Sequence, residues 1–276
     1  MSYVETSDGT KLYYKDWGTG RPVVMMHGWP LSSDTFDDLS MVLADNGFRA
    51  ISYDRRGFGR SHQPWEGYDY DTLADDLAAV LAHTKATDAT LLGFSMGGGE
   101  VARYLSRHGA ANVKQAILIA SIVPYMLKTE DNPNGTPQAM FDKIGAAIKD
   151  DRAKFWAGFF KDFYGAGPAS SPVSNEVIEW SRDQSMHASL KATLGCAKSF
   201  GTTDLRPDLK AFTVPTLIIH GTDDKTVPID ASARAAAAGI AGSTLIEYDG
   251  GPHGLLASHK QRLIADVLKF VQQPGS

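Results

Sequence analysis

Cysteine is almost absent. Cys196 is the single one in 276 residues, so no intramolecular disulfide and no multi-thiolate zinc cluster can form. Long apolar runs are missing too. No stretch reaches the roughly 18–20 residues that span a bilayer, and the polar opening segment from Met1 to Thr10 has no apolar signal core. Charge of one sign is never concentrated. The net charge is −5 with no run of like charges, which argues against a nucleic-acid surface. Internal repeats and low-complexity segments are lacking, apart from an alanine-rich stretch near Ala235. These absences set the expectation of a soluble cytoplasmic protein without membrane or nucleic-acid partners.

What is present is a globular composition. Hydrophobic residues make up 43% of the chain, and its length allows one large core plus an insertion. Buried-type apolar runs at Pro22–Met26, Phe48–Tyr53, Ala89–Phe94, Val113–Ala120 and Pro215–Ile219 alternate with helix-compatible segments. Alternation of this kind predicts an α/β fold, a mostly parallel sheet covered by helices on both faces. An amphipathic strand is expected at Lys11–Trp17 and a further strand at Thr244–Tyr248. Helices are expected at Ser32–Ala44, at about Asp230–Ala238 and at about Leu255–Val271. Thr72-Leu73-Ala74-Asp75 has a capping-box pattern and is expected to open another. From Pro124 to about Phe212 the pattern turns helical and irregular, broken at Asn132–Gly135 and Gly165–Pro168. The chain therefore reads as a core of residues 1–123 and 213–276 with an inserted helical cap at 124–212.

One stretch organises the rest. Gly93-Phe94-Ser95-Met96-Gly97 follows a strand and precedes a helix-compatible run, Glu100–Arg107. It fits the G-x-S-x-G nucleophile elbow, a strained turn that lifts a serine oxygen clear of the backbone. A serine nucleophile needs a base, and the base needs an orienting acid. His253, in the small-residue loop Gly250–Gly254 after the last strand, is the base that chain order selects. His220 directly ends a strand and reads as structural. His62, His83, His108, His187 and His259 read as surface residues. The acid is expected in the loop from His220 to Pro228, where Asp223 and Asp224 compete and periodicity does not choose between them. In the cap, Phe155, Phe159 and Phe163 fall at i, i+4 and i+8 and are expected both to pack and to roof an acyl pocket.

Five segments carry a resemblance in order: His27–Pro30, Tyr53–Gly59, Gly93–Glu100, His220–Asp224 and Gly251–Gly254. Together they resemble the cofactor-free haloperoxidase (perhydrolase) and arylesterase family of α/β-hydrolase-fold serine hydrolases, over essentially the whole chain. The resemblance implies Asp224 as the triad acid beside Ser95 and His253. This chain has Thr222 where the family usually has an aspartate. It also implies an oxyanion hole from the main-chain N–H groups of Trp29 and Met96. Pro30, which restrains Trp29 to extended backbone, is implied to modulate the oxyanion loop in favour of hydrogen peroxide over water.

The implied activity is hydrolysis of small carboxylic esters through an acyl-enzyme. Peroxide would replace water to give peracids, which oxidise halide. The implied partners are a small ester or carboxylic acid, hydrogen peroxide and halide, with no metal or other cofactor. Members of the family often form trimers or larger homo-oligomers. Lactonase or γ-lactam hydrolase activity is the alternative, then C–C bond hydrolysis, then a non-catalytic binding protein on the same fold. Haloalkane dehalogenases and epoxide hydrolases use an aspartate nucleophile, and Ser95 speaks against both.

Overall fold

The computed structural model describes residues 2–167 and 170–273, so Pro168, part of one expected cap interruption, lies outside the described residues. Eight strands form one sheet in the order β1-β2-β4-β3-β5-β6-β7-β8. The strands are β1 (Ser2–Glu5), β2 (Lys11–Gly18), β3 (Arg21–Met26), β4 (Phe48–Tyr53), β5 (Ala89–Phe94), β6 (Val113–Ile119), β7 (Thr216–Gly221) and β8 (Thr244–Tyr248). β1 and β2 pair antiparallel at one edge, and every pairing from β4 to β8 is parallel. All six residues of β5 and of β7 are buried. Continuous apolar strands of this kind require cover on both faces, which the crossover helices supply.

Those helices are α1 (Asp37–Asp45), α2 (Tyr70–Thr84), α3 (Met96–His108), α7 (Ala233–Gly239), α8 (Leu255–Ser258) and α9 (Lys260–Val271). Between β6 and β7 the alternation is interrupted by α4 (Gln138–Phe163), α5 (Asn175–His187) and α6 (Leu190–Thr202). α4 is kinked at Asp151 (φ −152°, ψ 90°), whose carboxylate caps the following turn through the Lys154 N–H at 2.9 Å. The order β4-β3-β5 places the reversal of strand order between β3 and β5. Ligand sites of open α/β sheets form at the carboxyl ends of strands at such a point.

Local readings differ from the structure at element ends. β1, too short for a pattern to register, lies outside β2. Thr72 does not open α2. Asp69 does, with extended backbone (φ −82°, ψ 158°), accepting the Thr72 N–H at 3.0 Å and the Thr72 hydroxyl at 2.9 Å. A 3₁₀ turn at Ser33–Phe36 precedes α1. α7 starts at Ala233, three residues later than expected, after Ser232 (φ −122°, ψ −97°). The last expected helix is split at His259 (φ −126°, ψ 30°). α3 begins four residues early, at Met96, and takes the Gly97–Gly99 run into its first turn.

Candidate active site

Ser95 connects β5 to α3 with φ 55° and ψ −117°, a left-handed conformation that L-residues adopt only under constraint. Neighbours supply that constraint. The Ser95 N–H donates to the Ile119 carbonyl at 2.8 Å, and the Ser95 carbonyl accepts from Gly98 at 3.0 Å. Close approach explains the flanking glycines. A Cβ on Gly93 would lie 2.4 Å from the Gly97 carbonyl oxygen, and one on Gly97 would lie 2.2 Å from that of Met26. β3, β5 and α3 therefore meet backbone to backbone at the serine. The N-terminus of α3 starts at the next residue, where its dipole favours negative charge.

His253, fully buried in the loop after β8, places Nε2 2.9 Å from Ser95 Oγ and Nδ1 2.6 Å from Asp224 Oδ2. A carboxylate only accepts, so Nδ1 donates and Nε2 is left to accept the serine proton. Of the two competing aspartates, Asp224 has a buried side chain, whereas that of Asp223 is 61% exposed and faces Lys225 at 3.8 Å. Asp224 Oδ1 accepts the N–H groups of Thr226 at 2.9 Å and Val227 at 2.8 Å. Burial works to raise the Asp224 carboxyl. The His253 charge and the hydrogen bonds from His220 and His253 outweigh it and hold the group well below the ordinary aspartate range.

The loop after β3 lies against the serine from the other side. A Cβ on Gly28 would fall 3.1 Å from Ser95 Cβ. The main-chain N–H groups of Trp29 and Met96 have no acceptor among the described residues. The Trp29–Pro30 peptide bond is cis. His27 anchors this loop. Its Nδ1 donates to the Gly28 carbonyl at 2.8 Å, and its Nε2 accepts the Arg55 N–H at 3.0 Å, which fixes the tautomer. Burial, reinforced by the Arg55 charge, pushes His27 well below the ordinary histidine value. Arg55 Nη2 also donates to the His27 carbonyl at 2.5 Å, and Arg55 Nε to Glu100 Oε1 at 2.6 Å. Tyr53 donates to the other Glu100 oxygen at 2.7 Å. A buried ionic strut thus ties the β3 loop to α3. Cys196, its thiol pushed up to about 12 by burial, is no nucleophile.

The roof is aromatic. The Trp29 ring packs edge-on against Trp156 and Phe159 of α4 and Phe200 of α6, and its Nε1 donates to the Thr193 carbonyl at 3.0 Å. Phe163 packs on the His253 imidazole at a centroid distance of 4.8 Å, and Phe94 at 5.4 Å. Both rings also line a pocket of about 250 Å³. Leu31, Val173, Val177 and Leu256 make it apolar, and Asp38 and Lys260, paired at 2.7 Å, stand at its exposed rim. Gln184 of α5 clamps the insert to the β3 loop, accepting from the Ser32 hydroxyl at 2.8 Å.

Ser95, His253 and Asp224 are brought together, with Met96 next to the serine in the chain and Trp29 following Gly28, which lies against it. His220, read as structural, touches Asp224 at 3.1 Å and the Val227 carbonyl at 2.9 Å. The His27–Arg55–Glu100 strut was not anticipated. Its members lie in three of the segments that carry the resemblance, but nothing in their spacing shows that they meet. Among the described residues, no group of three or more His, Cys, Asp or Glu side chains is placed to hold a metal ion, and no helix is long and apolar enough to cross a membrane.

A family model described as alpha/beta hydrolase fold matches residues 21–260. The chain is 44% identical over 274 residues to a non-heme haloperoxidase of Rhodococcus erythropolis, covering 99% of this chain and 100% of that one. It is 40% identical over 279 residues to a bifunctional esterase/perhydrolase of Acinetobacter calcoaceticus, with the same coverage. A crystal structure of a bromoperoxidase from Bacillus anthracis superposes with a TM-score of 0.95 at 40% identity, covering 99% of both chains.

Proposed function

This chain belongs to the alpha/beta hydrolase family, among the non-haem haloperoxidases and esterase/perhydrolases, and on that premise we propose that it is a serine esterase with perhydrolase activity. Ser95 Oγ attacks the carbonyl of a small ester or carboxylic acid while His253 Nε2 takes its proton. Asp224 holds the imidazole and stabilises the imidazolium. The oxygen anion of the tetrahedral intermediate is received by the N–H groups of Trp29 and Met96, each such donor being worth about 10²–10³-fold in rate. His253 returns the proton to the leaving group, and an acyl-enzyme remains. Water then releases the acid. Hydrogen peroxide, attacking the same carbonyl, releases a peracid. That peracid oxidises halide in solution, giving hypohalous acid and regenerating the carboxylic acid. Pro30 shapes the loop that favours peroxide. Residues 124–212 form a cap that limits which acyl groups enter, over a core of residues 1–123 and 213–276.

The observation that carries this reading is the unbroken hydrogen-bond line from Ser95 Oγ through His253 to Asp224, at 2.9 and 2.6 Å. The test pairs p-nitrophenyl acetate hydrolysis with bromination of monochlorodimedone in acetate and hydrogen peroxide. Both activities are expected, and both are expected to fall by about 10⁴-fold or more in Ser95→Ala. Hydrolysis without bromination overturns the perhydrolase part alone. Retention of hydrolysis in Ser95→Ala overturns the serine mechanism.

A further inference from the structure

We propose that His220 is a positioning residue for the triad acid, donating to Asp224 so that the acid limb of the rate profile lies at lower pH than His253 and Asp224 alone would give. The inference rests on the perhydrolase reading only for its purpose, not for its geometry.

His220 ends β7 and is fully buried. Its Nε2 lies 3.1 Å from Asp224 Oδ2 and 2.9 Å from the Val227 carbonyl oxygen. Both neighbours only accept, so Nε2 carries the proton; it donates to the Val227 carbonyl, with Asp224 Oδ2 as the more distant second acceptor. Nδ1 has no hydrogen-bond partner among the described residues. A buried polar atom left unpaired is a stability cost that calls for a reason. A leucine would escape that cost but leave the Val227 carbonyl without its His220 donor, and of the two contacts the one with Asp224 bears on the chemistry.

That bond divides one oxygen between two imidazoles. Asp224 Oδ2 faces His253 Nδ1 at 2.6 Å and His220 Nε2 at 3.1 Å, while Oδ1 is taken by two main-chain N–H groups. Each donor stabilises the carboxylate and weakens it as a proton acceptor. A weaker acceptor supports less positive charge on His253. Other charged groups around the pair are few among the described residues. Glu247 on β8 lies opposite His220 in register and is held by Arg234 at 2.7 Å, and Asp223 and Lys225 face each other at the surface.

The benefit follows from the substrate. A free carboxylic acid accepts a nucleophile as the neutral acid, present in quantity only near and below its pKa of about 4–5. Peracid formation from a free acid therefore needs a base still able to accept a proton at that pH. Ester hydrolysis carries no such requirement. His220 thus matters more for acid-fed acylation than for ester-fed acylation.

The test uses the full chain with His220→Leu and His220→Gln, the glutamine amide retaining a donor near the position of Nε2. The kcat/KM for p-nitrophenyl acetate and the rate of peracetic acid formation from acetic acid and hydrogen peroxide are measured from pH 4 to 8. In His220→Leu the acid limb of ester hydrolysis is expected to move up by about half a pH unit or more. Peracid formation at pH 5 is expected to fall about 3-fold further than ester hydrolysis at pH 8. His220→Gln is expected to restore both. An unmoved limb in His220→Leu, or equal shifts in both variants, overturns the proposal. Should His220→Leu not fold, His220→Met takes its place, and should neither fold, an acid limb displaced in His220→Gln is the overturning result. Absence of peracid formation in the unmodified protein overturns the perhydrolase reading, while the ester profile still decides the role of His220.

Discussion

Arg55 and Glu100 form an ion pair in which each side chain is only 1% exposed. Removing one partner strands a buried charge, which typically costs about 3–5 kcal/mol. Glu100→Ala is therefore expected to lose stability of that order in urea unfolding. The double change Arg55→Met with Glu100→Leu is expected to cost less than the sum of the two single changes. Additive losses would mean that the strut is not coupled.

His27 sets an acid limit on stability. Its folded-state affinity for a proton is depressed, so below pH 6.5 the unfolded chain binds more protons than the folded one. The stabilising contribution is complete above pH 6.5 and is lost as pH falls from there. Asp224, also depressed, adds a second loss below the ordinary aspartate value of 3.8. Melting temperature is expected to decline from about pH 6.5 downward, with a shallower decline between pH 6.5 and 5 in His27→Asn.

Gly97→Ala forces a Cβ to within 2.2 Å of the Met26 carbonyl oxygen, and β3 cannot retreat without moving the Trp29 loop. A loss of about 1–3 kcal/mol is expected, together with loss of esterase activity. Gly145 of α4 has nothing within 4 Å of an added Cβ. Gly145→Ala is expected to raise stability by about 0.5–1 kcal/mol with activity unchanged. Calorimetry and the p-nitrophenyl acetate assay read both.

The adjacent aspartates are expected to part completely. In Asp224→Asn the Thr226 and Val227 N–H groups keep the amide oxygen and turn its N–H₂ toward His253 Nδ1, which disfavours the working tautomer and is expected to lower kcat by about 10⁴-fold. Asp223→Asn alters an exposed side chain and is expected to leave kcat within a factor of two. Equal losses would mean that the loop, rather than one carboxylate, is what matters.

Val177→Trp is expected to fill the pocket that Phe94 and Phe163 also line. If that pocket receives the longer arm of a substrate, KM for p-nitrophenyl butyrate rises by about 10-fold while the acetate value is unchanged. Parallel changes for both esters would place the substrate elsewhere.

The strands of the core and the serine turn were legible because each is written locally: apolar runs for β3 to β7, and a glycine-flanked serine where one of them ends. His253 followed from chain order. Asp224 did not follow from its own neighbourhood, since Asp223 beside it has the same chemistry. Only the resemblance preferred it, and burial distinguishes the two. His220 was read from its place at a strand end, which does not show that it faces both a backbone carbonyl and the Asp224 carboxylate. Thr72 was misread as a cap because Asp69, three residues earlier, competes for the same N–H and takes the threonine hydroxyl as well. The Arg55–Glu100 strut joins residues 45 apart, a separation at which pattern carries no information.

β6 and β7 are sheet neighbours, with Ile119 directly opposite Ile219. The chain leaves the sheet after one and returns at the other, and all of α4 to α6 lies between. The two ends of that excursion are held side by side by that strand pairing and by the Leu205 N–H, which donates to the Pro124 carbonyl at 2.9 Å. Ser95, Asp224 and His253 all sit outside it. The excursion is thus a return trip between adjacent strands, and its helices reach back to the serine's neighbours through side chains, Phe163 onto His253 and Trp156, Phe159 and Phe200 onto Trp29.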